Sequence, residues 1–343
     1  MYIEIAKAMV PYMYAPVSNG ENRIVLELEN FFLPVLGHFQ GMKDNQSETK
    51  QDEMQVEESI NTDDMGGENI QQDIPAVQGT DEIKQEKKVV IHRVKLQEFD
   101  YLRQNFYQVD NTTTVDGNLL NADAFLAKDM HIKNGVEGPQ ILIYHTHSQE
   151  GYVDSVPGDP STSVVAVGDY LEQLLEEKYG VQVLHHKGQY DIENRSDAYA
   201  AARPEIERIL KENPSIEVVI DLHRDGVPDN LHLVTEVNGK QTAQIMFFNG
   251  LSKTTSQGDL LYLANPYIND NLALSFQMQL AAMEYYPGFT RKIYLKGYRY
   301  NMHLCPKSML VEVGAQTNTF EEAKNAMEPL ADILGKVLIT LDE

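Results

Sequence analysis

The stretch ILIYHTHSQE, residues 141–150, joins a short apolar run to side chains that can bind a metal ion. Its first four residues predict a buried β-strand, because the run is too short and too rich in branched side chains for a helix. His147 and Glu150 follow that strand directly, and open α/β sheets bind ligands at the carboxyl ends of their strands. An imidazole nitrogen and a carboxylate oxygen are both ligands that zinc accepts. The stretch therefore predicts half of a zinc site.

Two later apolar runs also carry polar side chains toward their ends. Residues 216–220 lead directly into DLHRDG, which contains His223, and residues 308–314 form the run SMLVEVG around Glu312. From residue 138 onward such runs alternate with amphipathic helical patterns, which is typical of α/β proteins. We therefore predict a mostly parallel, twisted sheet with helices on both faces. Because the carboxyl ends of parallel strands share one edge, the four polar side chains are expected to converge there.

This predicted convergence suits metal-assisted hydrolysis. His147, Glu150 and His223 would bind Zn²⁺ and leave one position for water, whose pKa zinc lowers to about 7. A further group must accept the proton of that water and pass it to the leaving nitrogen. Glu312 is the candidate for this catalytic role, because a carboxyl group on a buried strand is open to an upward pKa shift.

Neighbouring side chains have expected supporting roles. Asp221 and Asp225 flank His223, and one of them is expected to orient its imidazole. Strand alternation points His145 away from His147, so His145 is interpreted as a supporting or core residue. The chain has no nucleophile elbow, no P-loop and no dinucleotide-binding glycine motif. Weaker candidates for metal binding or nucleophilic chemistry are His185, His186, His303 and Cys305.

The part of the chain before residue 87 differs in composition from the rest. Residues 1–40 hold two apolar patches and are interpreted either as packing on a partner or as a juxtamembrane remnant. Residues 41–86 contain thirteen Asp and Glu, three Lys and no aromatic residue. Such a stretch buries too little apolar surface to offset its ordering entropy, so we predict a disordered acidic linker. Residues 87–343 are predicted to form the catalytic domain, with its motifs in residues 138–343.

The overall composition excludes several classes of function. The formal net charge of −24 argues against nucleic acid as a partner, because that partner requires a basic surface. The apolar fraction of 42% is sufficient for a core, and the single cysteine excludes an intrachain disulfide. No apolar run approaches the roughly 20 residues of a membrane-spanning helix.

Five segments occur in a fixed order along the chain: ILIYHTHSQEGY (141–152), VIDLHRDG (219–226), QIMFFNG (244–250), RYN (299–301) and SMLVEVGAQTNTFEEA (308–323). In these segments the chain resembles the stage II sporulation protein P family, which are cell-wall hydrolases of spore-forming bacteria. That family is similar to zinc-dependent N-acetylmuramoyl-L-alanine amidases. The resemblance runs from about residue 100 to the C-terminus, and it implies a zinc amidase-like fold.

The resemblance also implies a reaction and site residues. The reaction is cleavage of the amide between the muramic acid lactyl group and L-alanine in peptidoglycan, and the family is also associated with endopeptidase action on peptide cross-bridges. His147 and His223 match the family's metal histidines. Glu150 matches the glutamate of its H-T-H-x-x-E motif, and Glu312 matches the glutamate of L-x-E-V-G, the expected catalytic residue.

A cellular setting follows from the same resemblance. It implies work at the extracytoplasmic face of the cell membrane, on septal peptidoglycan during engulfment of the forespore. The implied partners are stage II sporulation protein D, a lytic transglycosylase, and stage II sporulation protein M, a membrane protein. The family has an N-terminal membrane anchor that the start of this sequence does not resemble, so the sequence is expected to be either truncated or a released form.

Two alternative functions fit parts of the same pattern. A zinc carboxypeptidase-like peptidase would use H-x-x-E with a distant histidine, and Arg224 or Arg299 would hold the terminal carboxylate of its substrate. A non-catalytic cell-wall-binding module could keep the same fold and bind glycan through grooves and aromatic side chains. The candidate lining residues are Tyr144, Tyr152 and Tyr300.

Overall fold

The computed structural model describes residues 93–339. The N-terminal segment predicted at 1–40 and the acidic linker predicted at 41–86 lie outside the described residues. So does the strand that the apolar residues Val89, Val90 and Ile91 predict. The domain boundary at residue 87 therefore stays a prediction.

Within the described residues the chain alternates between strands and helices. The strands are β1 Tyr107–Val109, β2 Ile141–Tyr144, β3 Val183–His185, β4 Val218–Asp225, β5 Val234–Val237, β6 Lys240–Ala243, β7 Ile245–Gly250, β8 Lys253–Thr254, β9 Gly258–Asp259, β10 Ile293–Lys296 and β11 Lys307–Ala315. The helices are α1 Arg93–Leu96, α2 Phe99–Phe106, α3 Ala122–Leu126, α4 Val164–Tyr179, α5 Ala198–Glu212, α6 Ile268–Tyr285, α7 Phe320–Asn325 and α8 Met327–Leu338. Short 3-10 helices lie at Pro160–Thr162, Arg195–Asp197, Leu261–Leu263 and Met302–Leu304.

Seven strands form one central sheet in the order β1-β10-β7-β11-β4-β2-β3. Neighbouring strands are parallel except β7 and β11, which are antiparallel. The sheet therefore consists of two parallel groups that run in opposite directions and meet at this pair. The predicted α/β class with a mostly parallel sheet is confirmed.

Both faces of the sheet are covered by helices. On one face, strand residues such as Ile143 and Val311 pack into the main core with side chains of α4, α6 and α8. On the other face, Leu142 and Val219 pack with Ala202 of α5 in a smaller cluster. Strands that are covered on both faces are continuously apolar, which explains why β2 reads as an unbroken apolar run. The prediction of helices on both faces is confirmed.

Helix ends follow local signals in the sequence. The side chain of Ser163 accepts a hydrogen bond from the Val165 N–H at the start of α4, and Gly180 ends that helix with φ of +65°. Thr319 and Glu322 form the predicted capping box at the start of α7. The sequence after this box predicts one final helix that runs to about Leu338. That prediction is wrong, because α7 and α8 are separate helices that meet at Ala326.

The sequence predicts a hairpin from residues 231–236 and 242–248 around Asn238-Gly239. This prediction is correct at its turn and wrong in part of its second arm. Asn238 and Gly239 have φ of +52° and +77° and connect β5 to β6, as the Asn-Gly dipeptide predicts. The following residues 245–248 are not part of this hairpin. They belong to β7, which pairs antiparallel with β11 inside the central sheet. All six residues of β7 are buried, which suits a central strand better than a half-exposed hairpin arm.

Among residues 93–339, no helix combines the length and hydropathy required to cross a lipid bilayer.

Candidate metal centre

The three strands that carry the candidate site are parallel neighbours. β11 pairs with β4, and β4 pairs with β2, so their carboxyl ends meet at one edge of the sheet. In this register Glu312 lies directly opposite His223. Laterally paired residues point to the same face of a sheet, so the two side chains share a face. Asp221, two residues before His223 on β4, lies on the same face.

Two histidines and one glutamate come together at this edge. Glu150 Oε1 lies 3.6 Å from His147 Nδ1, and Glu150 Oε2 lies 3.3 Å from His223 Nδ1. The two imidazole rings are perpendicular, with centroids 5.0 Å apart. One ligand atom from each of the three residues lies within 4.8 Å of the other two, and all three side chains are buried.

These distances suit zinc. Nitrogen and oxygen ligands lie about 2.1 Å from zinc in a tetrahedral site, which places neighbouring ligand atoms about 3.4 Å apart. The separations of 3.3 and 3.6 Å join the two histidines to different oxygens of Glu150, and each lies close to that spacing. A set of two histidines and one glutamate is also a known catalytic donor set that leaves a fourth position for water. The residues present therefore fit a zinc ion.

His223 is oriented by Asp221. The Asp221 carboxylate lies 2.7 Å from His223 Nε2, which leaves Nδ1 to face Glu150. Burial alone would lower the pKa of His223, but the Asp221 and Glu150 carboxylates outweigh it and hold the pKa well above its usual range. Of the two aspartates considered from the sequence, Asp221 takes the orienting position. Asp225 instead forms an ion pair with Arg291 at 2.5 Å.

Glu150 is held by two donors. Arg195 Nη2 donates to Oε1 at 2.7 Å, and the Arg224 backbone N–H donates to Oε2 at 2.9 Å. Burial would raise the pKa of Glu150, but the positive charge of His223 and the hydrogen bonds from both histidines hold it well below its usual range. The carboxylate is therefore ionised and fixed in orientation, as metal-binding carboxylates are.

The turn between β2 and Glu150 is tied down by two aspartates. Asp221 accepts hydrogen bonds from the Thr146 N–H and hydroxyl, at 2.9 and 2.6 Å. Asp191 accepts from the Ser148 N–H and hydroxyl and from the Gln149 N–H, at 3.1, 2.9 and 3.0 Å. These bonds satisfy backbone donors that a buried tight turn would otherwise leave without acceptors.

Glu312 lies in an environment that favours the protonated form of its carboxyl group. Burial, together with the negative charge of Asp225 and partly offset by His223, raises its pKa to about 8. Its Oε2 atom is buried and has no hydrogen-bond partner among the described residues. A buried carboxyl oxygen without a partner is costly, and such groups are concentrated at functional sites.

His145 points away from the other two histidines, as the alternation of the strand predicts. Its Nδ1 lies 2.7 Å from the Leu222 carbonyl oxygen, and its Nε2 lies 2.8 Å from His185 Nε2. His185 Nδ1 in turn contacts Asp169 at 2.9 Å. Burial lowers the pKa of His145 to about 3 and that of His185 to about 4.

The weaker candidates lie apart from this centre. His186 contacts Tyr190, and burial raises the pKa of Cys305 to about 11 while its thiol donates to a backbone carbonyl. Burial also lowers the pKa of His303 to about 3. Asp169, Glu172 and His185 form a second group with metal-ligand side chains, but Lys187 forms an ion pair with Asp169 at 2.5 Å.

Two arginines, Arg224 and Arg299, were considered for holding a substrate carboxylate; Arg299 is buried, and Arg224 has internal partners. The Arg224 guanidinium donates to the Gly151 and Asp225 carbonyl oxygens at 3.0 and 3.2 Å. Beside the turn between β2 and Glu150 lies a cleft of about 240 Å³. It is lined by Ser148, Gln149, Gly151, Tyr152, Ser155, Val156, Pro157, Gly158, Asp159, Pro160, Ser163 and Gln189.

The sequence patterns do not single out Asp191 and Arg195. Both lie in the polar connection between β3 and α5, far along the chain from residues 145–150, and no motif or periodicity marks them. The only local signal is that the connection follows the carboxyl end of a strand, where α/β sheets place functional residues.

Fold and site together define an α/β protein with a buried candidate centre for one metal ion. The chain belongs to the stage II sporulation protein P (SpoIIP) family, whose sequence pattern matches residues 21–335. It is 25% identical over 216 residues to the stage II sporulation protein P of Bacillus subtilis (strain 168), an alignment that covers 57% of this chain. The chain spans about half the length of that curated relative, 50%.

Several solved structures are similar to the chain. The N-acetylmuramoyl-L-alanine amidase AmiC2 of Nostoc punctiforme is 14% identical, with 59% of this chain and 98% of that chain covered and a TM-score of 0.35. The CwlD amidase from Clostridioides difficile, in complex with the GerS lipoprotein, is 15% identical, with 58% and 98% covered and a TM-score of 0.36. The amidase Ami1 from Mycobacterium smegmatis is 13% identical, with 61% and 98% covered and a TM-score of 0.36.

Proposed function

We propose that this protein is a peptidoglycan hydrolase of sporulation and, more specifically, a zinc-dependent N-acetylmuramoyl-L-alanine amidase. The observation that carries the proposal is the arrangement of two histidines and one glutamate around a common point, beside a strand that carries Glu312. Membership in the stage II sporulation protein P family supports peptidoglycan as the substrate and the sporulation septum as the place of action.

The metal ligands would be His147 Nδ1, His223 Nδ1 and a Glu150 carboxylate oxygen. Zinc held there would supply an acidified water and polarise the scissile amide carbonyl. Asp221 keeps the His223 ring in the orientation that presents Nδ1, and it would stabilise the positive charge that the imidazole shares with the metal. Arg195 and the Arg224 N–H fix Glu150 in the same way.

Glu312 is the proposed general base and acid. A carboxyl group with a pKa near neutrality can accept a proton from the attacking water and deliver it to the leaving nitrogen in the same turnover. An amide nitrogen is a poor leaving group until it is protonated, so this second transfer is the one that an ordinary exposed glutamate would perform badly. The free Oε2 atom is the position for the transferred proton.

The cellular part of the proposal follows from the family. The protein would act on septal peptidoglycan outside the membrane, together with stage II sporulation protein D and stage II sporulation protein M. Endopeptidase action on cross-bridges is part of the same family proposal.

Digestion of purified sacculi tests the activity. The protein is incubated with sacculi after chelator treatment and again after zinc is restored, and new amino groups are labelled and identified by mass spectrometry. We expect zinc-dependent release of stem peptides that begin with L-alanine. New amino termini only on other residues would indicate a peptidase and overturn the amidase assignment, whereas such termini beside L-alanine termini would indicate endopeptidase action as well. An absence of any zinc-dependent product would overturn the hydrolase proposal.

A further inference from the structure

The metal centre depends on a turn that no repeating secondary structure stabilises. His147 and Glu150 are three residues apart, but they lie in a turn after β2 and not on a helix. Within the turn, the Glu150 N–H donates to the His147 carbonyl oxygen at 3.4 Å, at the long end of hydrogen-bond distances. The convergence of the two ligands therefore depends on groups outside the turn.

Asp191 is the principal group of this kind. One carboxylate oxygen, Oδ1, accepts both hydrogen bonds from Ser148, and the other, Oδ2, accepts the Gln149 N–H. Ser148 and Gln149 are the two residues between the ligands. Asp191 and Ser148 are both buried, so water competes little for these bonds and the carboxylate holds the backbone of the turn in one conformation.

Asp191 acts on the turn alone, whereas Asp221 does not. Asp221 holds Thr146 but also contacts the His223 ring, so its replacement would disturb a ligand directly. In the described part of the chain, the hydrogen bonds of Asp191 go to Ser148 and Gln149. Among the described residues Asp191 forms no hydrogen bond to a ligand side chain, so the contacts through which it acts are those with the backbone of the turn and the Ser148 hydroxyl.

The same connection between β3 and α5 also reaches Glu150 directly. Arg195 lies four residues after Asp191 and donates to Glu150 Oε1 at 2.7 Å. Tyr199, at the start of α5, packs edge-on against the His147 ring at 5.7 Å. This segment, residues 186–199, therefore contacts each part of the turn: the ligand before it, the backbone within it and the ligand after it.

We propose that Asp191 is a positioning residue for the metal centre: it fixes the backbone of Ser148 and Gln149 so that His147 and Glu150 present their ligand atoms to one ion. The inference rests on the proposed function in one respect, namely that the centre binds zinc. Loss of outer partners of metal ligands typically lowers metal affinity by about 10- to 100-fold.

The main test is zinc affinity of Asp191→Asn and Asp191→Ala, measured by competition with a chromophoric chelator. Asparagine keeps one acceptor oxygen and leaves one of the two backbone N–H groups without an acceptor, so we expect a zinc Kd about 10-fold higher than in wild type. Alanine removes both acceptors, and the expected increase approaches about 100-fold. With saturating zinc, kcat of both variants should recover toward the wild-type value, which a global structural defect would not allow.

Asp116→Asn is the matched control. Asp116 also accepts two consecutive backbone N–H bonds, from Asn118 and Leu119 at 2.9 and 3.0 Å, but it lies in the loop between β1 and α3. Its replacement should leave the zinc Kd unchanged. A zinc Kd of Asp191→Ala within about twofold of wild type would overturn the inference, since it lies below the range for outer partners.

Amide exchange is a second measurement, and its wild-type part covers the case in which Asp191→Ala does not fold. In metal-free wild-type protein, the Ser148 and Gln149 amides should exchange with deuterium much more slowly than the amide of the exposed Gly158 in the loop that follows. In Asp191→Asn, the exchange of the Gln149 amide should accelerate selectively. Rapid exchange of both amides in wild type would overturn the inference. If wild type binds no zinc at all, the proposed function fails; if wild type binds zinc and Asp191→Ala binds it equally well, only the positioning role fails.

Discussion

Two pairs of histidines lie close together in this protein, and they differ in what their ring nitrogens contact. The rings of His147 and His223 have centroids 5.0 Å apart, and so do those of His145 and His185. In the first pair, one nitrogen of each ring faces the carboxylate of Glu150. In the second pair the rings bond directly to each other through Nε2, at 2.8 Å.

The difference separates a candidate metal site from a pair of histidines that bond to each other. All four ring nitrogens of His145 and His185 are engaged within the protein, by each other, by the Leu222 carbonyl oxygen and by Asp169. The first pair keeps two nitrogens directed at a buried carboxylate with the spacing of a zinc tetrahedron. Residue type and proximity are the same in both pairs, and the directions of the nitrogens differ. The following experiments test that distinction, from the largest expected effect to the smallest.

Removal of one member of each pair should have opposite consequences for zinc binding. We expect the zinc affinity of His223→Ala to fall by more than the roughly 10- to 100-fold that loss of an outer partner causes, since the substitution removes a ligand atom. His185→Ala should retain zinc. Metal content after gel filtration in a weak chelator measures both. Retention of zinc by His223→Ala, or its loss from His185→Ala with the fold intact, would reverse the assignment of the two pairs.

Glu312→Gln should separate catalysis from metal binding. The amide cannot accept a proton at neutral pH, so kcat for peptide release is expected to fall by about 10²- to 10⁴-fold. Zinc content should be unchanged, because Glu312 is not among the three residues whose ligand atoms converge.

Glu236→Gln is the control for this variant, since Glu236 is exposed on the β5–β6 hairpin. It should leave both measurements unchanged. A Glu312→Gln protein with full activity would place the proton carrier elsewhere.

The packing of His145 and His185 should depend on the absence of a side chain at Gly168. A Cβ atom on Gly168 of α4 would lie 2.8 Å from two ring atoms of His185 and 3.0 Å from a ring atom of His145. Gly168→Ala is therefore expected to lower the free energy of unfolding by about 1–3 kcal/mol, as overpacking of a core does. Urea denaturation of the zinc-free protein measures this effect.

Gly117→Ala is the matched substitution, because its added Cβ would meet Phe99 atoms only at 3.8 Å, an ordinary contact. It should change stability much less than Gly168→Ala does. Equal effects of the two substitutions would show that the histidine pair does not limit the space around Gly168.

The smallest predicted effect is a pH dependence from the second pair. Burial lowers the pKa of His185 to about 4 in the folded protein, whereas an unfolded histidine titrates near 6.5. The unfolded chain therefore binds more protons between these values, and stability falls as pH decreases below about 6.5. From pH 7 to 5.5 this residue should contribute a loss of about 1 kcal/mol.

Urea unfolding of the zinc-free wild type and His185→Asn at the two pH values isolates that contribution. Zinc is first removed with a chelator, so that the separate effect of acid on metal binding does not contribute to the result. We expect the pH-dependent loss in the variant to be smaller by about 1 kcal/mol. Identical losses in the two proteins would mean that His185 is not held neutral in the folded state.

Several parts of the fold follow directly from local sequence. The apolar runs of β2, β4 and β11 predict buried strands, and they are neighbours in the sheet as parallel α/β architecture requires. The caps at Gly180 and Thr319 depend on residues within one helical turn, and both are present. The assignment of residues 245–248 to the β5–β6 hairpin was wrong because strand pairing is not decided locally. Whether an apolar run pairs with the preceding strand or with a distant one depends on long-range packing, which propensity does not encode.

The candidate site divides in the same way. His147, Glu150, His223 and Glu312 stand out in the sequence because ligand-type side chains at the ends of apolar strands have few structural uses. The notion that His145 supports the site while pointing elsewhere follows from the alternation of side chains along a strand. Asp191 and Arg195 could not be found this way, because a polar loop has no periodicity that distinguishes one charged residue from the next.

The sequence by itself determined the chemical inventory of this protein: an α/β fold, and histidine and carboxylate side chains delivered to one edge of its sheet. Only the tertiary structure decided which histidine nitrogens converge on Glu150 and which bond elsewhere in the protein. That choice depends on hydrogen bonds between residues 40 to 80 positions apart, such as Asp191 with Ser148 and His145 with Leu222. Such bonds form only when the chain has folded, because their partners are brought together by packing of the sheet and not by any local pattern.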